Sequence, residues 1–177
     1  LSNTAWAFAT ARHEAPELFE AISAEAVRRR LGGFNEQALS NTAWAFATAR
    51  HEAPELFEAI SAEAVRRRLG GFNEQALSNT AWAFATARHE APELFEAISA
   101  EAVRRRLGGF NEQALSNTAW AFATARHEAP ELFEAISAEA VRRRLGGFNE
   151  QALSNTAWAF ATARHEAPEL FEAISAE

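Results

Sequence analysis

The chain reads as a recurring pair of amphipathic helical segments. In the best-framed copy, Leu39, Ala43 and Phe46 fall on one stripe at helical spacing, and Ala38, Thr42, Ala45 and Ala49 widen it on one flank. Neither Gly nor Pro interrupts the run, and its alanines favour helix. Asn35 stands where an N-cap belongs, Glu36 puts negative charge in the first turn, and Phe34 and Leu39 have the spacing of a hydrophobic staple. The pattern predicts helix A at about 35–51. Glu52-Ala53-Pro54 then breaks the helix, and Pro54 suits the first position of a second one, where its missing N–H costs nothing. Leu56, Phe57, Ile60 and Ala64 form the apolar stripe of this helix B, predicted at about 54–69, while Glu55, Glu58, Ala59, Ala62 and Arg66 point away. Glu63 can pair with Arg66 and Arg67, and Arg66, Arg67 and Arg68 together favour the helix C-terminal dipole. Gly70 is placed to take the left-handed conformation that ends helix B, with Gly71 letting the chain fold back.

This pair returns at a fixed period. Every residue from Leu39 to Glu177 equals the residue 38 positions earlier, so the unit LSNTAWAFATARHEAPELFEAISAEAVRRRLGGFNEQA occurs in about 4.7 copies. Two helices of about 16 residues, roughly 25 Å each, cannot enclose their apolar stripes alone. Stacking is therefore required, and the expected fold is an all-α solenoid: a superhelix of antiparallel helix-turn-helix repeats, with residues 1–177 as a single array and truncated first and last repeats. Repetition without a substitution predicts an engineered consensus sequence. The first residue is Leu and both ends fall inside predicted helices, which suggests a window cut from a longer chain. Terminal units expose their joining faces, so end-to-end self-association is expected.

Composition supports this picture and removes several functions. A hydrophobic fraction of 48% with 11% aromatics can fill a continuous core, and 23% charged residues keep its surface hydrated. All 24 acidic residues are Glu and all 17 basic ones are Arg. With no Cys, disulfides and thiolate metal sites are excluded. No apolar run is long enough to span a bilayer, and no targeting segment is present. The net charge of −7 argues against a uniformly basic nucleic-acid binder, although a local stripe of Arg would still serve phosphate. Neither cofactor nor metal is expected: the HEAPE segment at His13 and Glu14 lacks the spacing that sets two ligands on one helix face. Ser40 and His51 are roughly 16 Å apart by helical rise, beyond nucleophile-to-base reach. Enzymatic activity is not expected.

Helix A carries the unusual chemistry. Opposite its apolar stripe the helical wheel collects Gln37, Ser40, Asn41, Trp44, Thr48 and His51, a face without formal charge at neutral pH. One explanation is packing, with Trp44 in a core and Asn41 bridging backbone. The other is hydrogen bonding and stacking with a ligand. Phe34, Gln37, Leu39, Asn41, Trp44 and Ala45 give the pattern F..Q.L.N..WA, which with the 38-residue period resembles the octotricopeptide (OPR) repeat family along the whole chain. That resemblance implies an α-solenoid that binds single-stranded RNA at about one base per repeat, in a family known mostly from organelles. By the same resemblance, the base-reading candidates are Gln37, Ser40 and Asn41 with Gln75, Ser78, Asn79, Gln113, Ser116, Asn117, Gln151, Ser154 and Asn155. The phosphate candidates are Arg12, Arg50, Arg88, Arg126 and Arg164, together with the triple-Arg segments. Identical units imply a homopolymeric tract. The alternative from another class is a structural repeat scaffold with no retained ligand.

Overall fold

The computed structural model describes residues 1–176, which form ten α-helices and, among the described residues, no strand. They alternate along the chain: α1 (Ser2–Thr10), α2 (Pro16–Arg28), α3 (Glu36–Ala49), α4 (Pro54–Arg66), α5 (Glu74–Thr86), α6 (Pro92–Arg104), α7 (Glu112–Ala125), α8 (Pro130–Arg142), α9 (Glu150–Ala163) and α10 (Pro168–Ser175). Odd-numbered helices are the A helices and even-numbered ones the B helices of an all-α solenoid. The A helices start as their sequence predicts, with the Asn35 side chain accepting a hydrogen bond from the Ala38 N–H at 2.8 Å and the same cap at Asn73, Asn111 and Asn149. A cap of this kind stabilises a helix by about 1 kcal/mol. The B helices start on Pro without any side-chain cap.

The two walls pack differently. Each A helix lies closely along the A helices of both neighbouring units, whereas successive B helices stand apart. The small side chains of Ser40, Thr42, Ala43, Ala45 and Ala47, all buried, let the A backbones approach. The approach is close enough for the Ser40 hydroxyl to donate to the Ala76 carbonyl of the next unit at 3.2 Å, and Ser116 repeats this with Ala152 at 3.1 Å. Thr80 donates to that same Ala76 carbonyl at 2.7 Å from one turn along its own helix. A wall with tighter spacing becomes the inner wall of a curved array. The A helices therefore line the concave side.

Larger side chains fill the space between walls. Phe57 of α4 meets Phe84 of the following A helix edge-on at 4.9 Å between ring centroids, and His89 lies 5.7 Å from both. The trio recurs as Phe19–Phe46–His51, Phe95–Phe122–His127 and Phe133–Phe160–His165, joining a B helix to the next unit at every junction. Leu39, Leu56, Ile60, Ala64 and Leu69 complete the core beside it.

The turn after helix B departs from the expectation at Gly70. The left-handed conformation falls on Arg68 and Leu69, at φ 56° and 53°, and is repeated at Arg30 and Leu31, Arg106 and Leu107, and Arg144 and Leu145. Burial explains the shift: Leu69 must turn its side chain into the core, and that contact outweighs the preference of Gly for this region. Gly71 has another reason to be Gly, because a Cβ there would come within 3.0 Å of the Glu36 side chain. Ala49 is a smaller departure, lying exposed where the wheel extended the apolar flank to it.

Glu63 anchors the end of helix B. Arg66 chelates its carboxylate through Nε and Nη2 at 2.8 and 2.6 Å, and Arg67 Nε adds a bond at 2.6 Å. Arg67 also reaches Glu36 on helix A of its own unit at 3.2 Å. Its counterparts Arg105 and Arg143 stitch consecutive units, donating to carbonyls in the turn that closes the preceding unit: Arg105 to Leu69 and Gly70 at 3.4 Å and Arg143 to Leu107 at 3.5 Å. Glu25, Glu63, Glu101 and Glu139 are accordingly held at a pKa of about 2, below the ordinary 4.5. The chief cause is the hydrogen bond from the arginine three residues on; the arginine four residues on adds to it, and burial opposes both.

Two outcomes follow. Phe57→Ala or Phe95→Ala should each cost about 3–5 kcal/mol in denaturant melts; a cost within the roughly 0.5 kcal/mol of a surface change would show that the trio is not core. A carboxyl whose pKa falls on folding contributes stability that is complete above its unfolded pKa. The contribution of these four glutamates should therefore be full above pH 4.5 and decline as the pH drops towards about 2. Replacing all four by Gln should flatten that acid limb in a plot of melting temperature against pH.

Candidate nucleic-acid interface on the inner wall

Helix A divides its polar residues between two environments. Gln37 is exposed and Asn41 half-buried, and the Gln37 amide donates to the Asn41 side-chain carbonyl at 2.7 Å. Gln75–Asn79, Gln113–Asn117 and Gln151–Asn155 form the same pair at 2.8, 2.8 and 2.9 Å. This bond uses one donor and one acceptor, leaving the Asn41 amide N–H groups and the Gln37 carbonyl free. Each unit thus offers an adjacent donor and acceptor of the kind a base edge needs.

Ser40 belongs elsewhere. Ser40, Ser78 and Ser116 are fully buried between neighbouring A helices, the first and third bonded across the junction and the hydroxyl of Ser78 without a partner. Only Ser154, on the last A helix, is exposed. The single polar face expected from the wheel is corrected here: close A-on-A packing takes Ser40, Ser78 and Ser116 out of reach of a ligand.

Trp44 occupies a third position that neither sequence reading described. Trp6, Trp44, Trp82, Trp120 and Trp158 form an unbroken ladder, with neighbouring rings 6.4–6.5 Å apart and tilted by 31–34°. The interior rungs are half-buried against one another, and the end rungs Trp6 and Trp158 are 45% and 47% exposed. The rung spacing is shorter than the roughly 8–10 Å between packed helix axes. Trp44 stands on the face of helix A opposite the stripe that packs in the core, so the ladder lies on the open, concave side of the A wall. Flanked by the Gln–Asn pairs, it makes a neutral strip of amides and indoles. No acidic residue belongs to the strip.

The arginines also separate into groups. Of each triple-Arg segment, the first two are committed to a glutamate, as in Arg66 and Arg67 with Glu63, and the third is exposed. Arg12, Arg50, Arg88, Arg126 and Arg164 follow the A helices, exposed, with φ of 50–54° and no ion pair among the described residues. They line clefts between consecutive units at the A-to-B turns; the one shared by Arg50 and Arg88 measures about 720 Å³. Thr48, one turn beyond Trp44 on the same face, joins the strip to the cleft of the preceding junction, which it lines with Arg12 and Arg50.

The strip was partly visible in the sequence, because Gln37, Asn41 and Trp44 recur at helical spacing. The ladder was not, since it exists only once identical helices are laid side by side. Among the described residues, no cluster of three or more His or Glu side chains could hold a metal ion. No helix is long and apolar enough to cross a membrane.

No curated protein matches the sequence. The family model for the RNA-editing substrate-binding complex 6 protein matches it over residues 1–177. A helical-repeat array with a continuous hydrogen-bonding and aromatic strip on its inner wall thus belongs to the RNA-editing substrate-binding complex 6 (RESC6) family.

Proposed function

We propose that this chain binds single-stranded RNA along its concave wall, at about one base per repeat, and performs no catalysis. The observation that carries the reading is the regular strip: a Gln–Asn pair from each of four units and a tryptophan from each of five, presented at constant spacing. Unstacked bases are recognised by hydrogen bonds to their edges and by stacking on aromatic rings, and the strip supplies both without charge. A family named for an RNA-editing substrate-binding complex is in keeping with that chemistry. The helix A pattern F..Q.L.N..WA adds its resemblance to octotricopeptide repeats, whose RNA reading follows the same per-repeat logic. Gln37, Asn41 and their copies are the proposed base readers, and Arg12, Arg50, Arg88, Arg126 and Arg164 the phosphate partners. Because the units are identical, in the manner of a consensus design, the preferred ligand is a homopolymeric tract.

Labelled poly-A, poly-C, poly-G and poly-U tracts, titrated at two salt concentrations, test this. One tract should bind best, and Asn41→Ala made together with Asn79→Ala, Asn117→Ala and Asn155→Ala should remove the preference. Replacing the interior tryptophans by Ala should weaken every tract, by about 1–3 kcal/mol for each stacked base lost. Absence of binding to all four tracts at low salt would reject the RNA reading.

A second reading, a scaffold that joins end to end, draws on one observation. Phe133 is 2% exposed beneath the next unit, whereas the equivalent Phe171, in the last repeat described, is 37% exposed. Sedimentation of the 177-residue chain should then show size rising with concentration; a constant monomer mass would remove this reading.

A further inference from the structure

We infer that the four inter-unit clefts at the A-to-B turns are phosphate seats, each built jointly by two consecutive repeats. Taking the phosphates to be those of RNA rests on the function proposed above; the anion-binding property of the clefts does not.

The junction between the second and third A helices illustrates the construction. Arg50 lines the cleft from one unit and Arg88 from the next, with His51 and His89 also lining it and Glu52 the one carboxylate among the lining residues. Neither arginine has an ion-pair partner among the described residues, although the chain carries a net charge of −7. Most other arginines in the repeat are neutralised by glutamate, so these two are the local excess of positive charge. The cleft floor includes Ala53 and Pro54, where helix α4 begins without a side-chain cap, so the positive end of the α4 dipole lies beside the guanidinium groups. Thr86, also lining the cleft, has its hydroxyl buried without a hydrogen-bond partner, as do Thr48 and Thr124 at other junctions. The same construction recurs around Arg12 and Arg50, Arg88 and Arg126, and Arg126 and Arg164.

Position ties the clefts to the strip. Arg50 lies nine residues beyond Asn41, roughly 13 Å along the helix axis at 1.5 Å per residue. A row of seats therefore runs parallel to the row of Gln–Asn pairs with the tryptophan ladder between them. A strand crossing the A helices can direct its bases to one row and its backbone to the other. The seats number one per junction, one fewer than the arginines, because each arginine between the ends serves two clefts.

The backbone at these arginines supplies a clean test. At φ 54° and ψ 34–35°, Arg50 and Arg126 occupy the left-handed region that glycine adopts without strain. Arg50→Gly, Arg88→Gly, Arg126→Gly and Arg164→Gly, combined with Arg12→Gly, should remove the charge while leaving the melting temperature equal or higher. The control is Arg30→Gly, Arg68→Gly, Arg106→Gly and Arg144→Gly, which removes exposed arginines of similar backbone conformation outside the clefts. For the best-binding RNA tract, the plot of log affinity against log salt should become shallower by about 3 in the cleft variant, at about 0.7 per phosphate contact and four seats. The control variant should lose clearly less. Inorganic pyrophosphate, titrated without RNA, should raise the melting temperature of the parent chain and not of the cleft variant.

RNA binding with an unaltered salt slope in the folded cleft variant would overturn the seats and leave the strip standing. Pyrophosphate stabilisation that disappears in the cleft variant, in a chain that binds no tract, would uphold the seats and remove the RNA reading. Stabilisation equal in the parent and cleft variants, or absent from both, overturns the seats.

Discussion

Close packing of one A helix on the next is the constraint from which the rest of this molecule follows. It is made possible by Ala, Ser and Thr at the contact and is fixed in register by hydrogen bonds such as Ser40 to Ala76. Because side chains this small fill little space, the A backbones approach further than the B backbones, which are held apart by Phe, Leu and Ile. Unequal spacing of two walls produces curvature, and curvature decides which surface becomes a groove. The concave side is then the one that carries Gln37, Asn41 and Trp44.

The same constraint shapes the chemistry of that groove. Tryptophans projecting inwards are drawn to 6.4 Å from one another and become a ladder, while serines one position from the strip are sealed between helices. Charge is sorted along with them. Glutamates of helix B are matched by arginines three and four residues on, and Arg67 uses its remaining reach on Glu36. The cations left without partners are concentrated at the solenoid edges and turns. A chain with net negative charge can therefore present a neutral inner strip bordered by local positive charge. Net charge alone is a poor guide to its ligand.

Membership of the RESC6 family places the molecule among proteins named for an RNA-editing substrate-binding complex. The geometry gives that relationship a physical form. A repeat array can offer RNA one equivalent contact per unit, and identical units make the number of contacts a function of length. Under the proposed function, specificity would depend on what each Gln–Asn pair accepts, and affinity on how many junctions are occupied.

Much of the fold was legible in the sequence because its determinants are local or repeated: the period of 38, the Asn35 cap, Pro54 at the start of helix B, the apolar stripes, and the pairing of Glu63 with Arg66 and Arg67. A helical wheel also gathered Gln37, Asn41 and Trp44 onto one face. It put Ser40 there as well, since a wheel records angle around one helix and contains no neighbour. Which flank of that face meets the next unit is settled by helix-to-helix distance, and that distance depends on side chains in two repeats at once. The left-handed backbone at Arg68 and Leu69 escaped the sequence for a similar reason, because local propensity favours Gly70 and only the buried position of Leu69 overrides it. The sequence by itself determined the helices, their order and the need to stack; tertiary packing decided the curvature, the tryptophan ladder and the shared clefts, because each of these is a property of two helices and not of one.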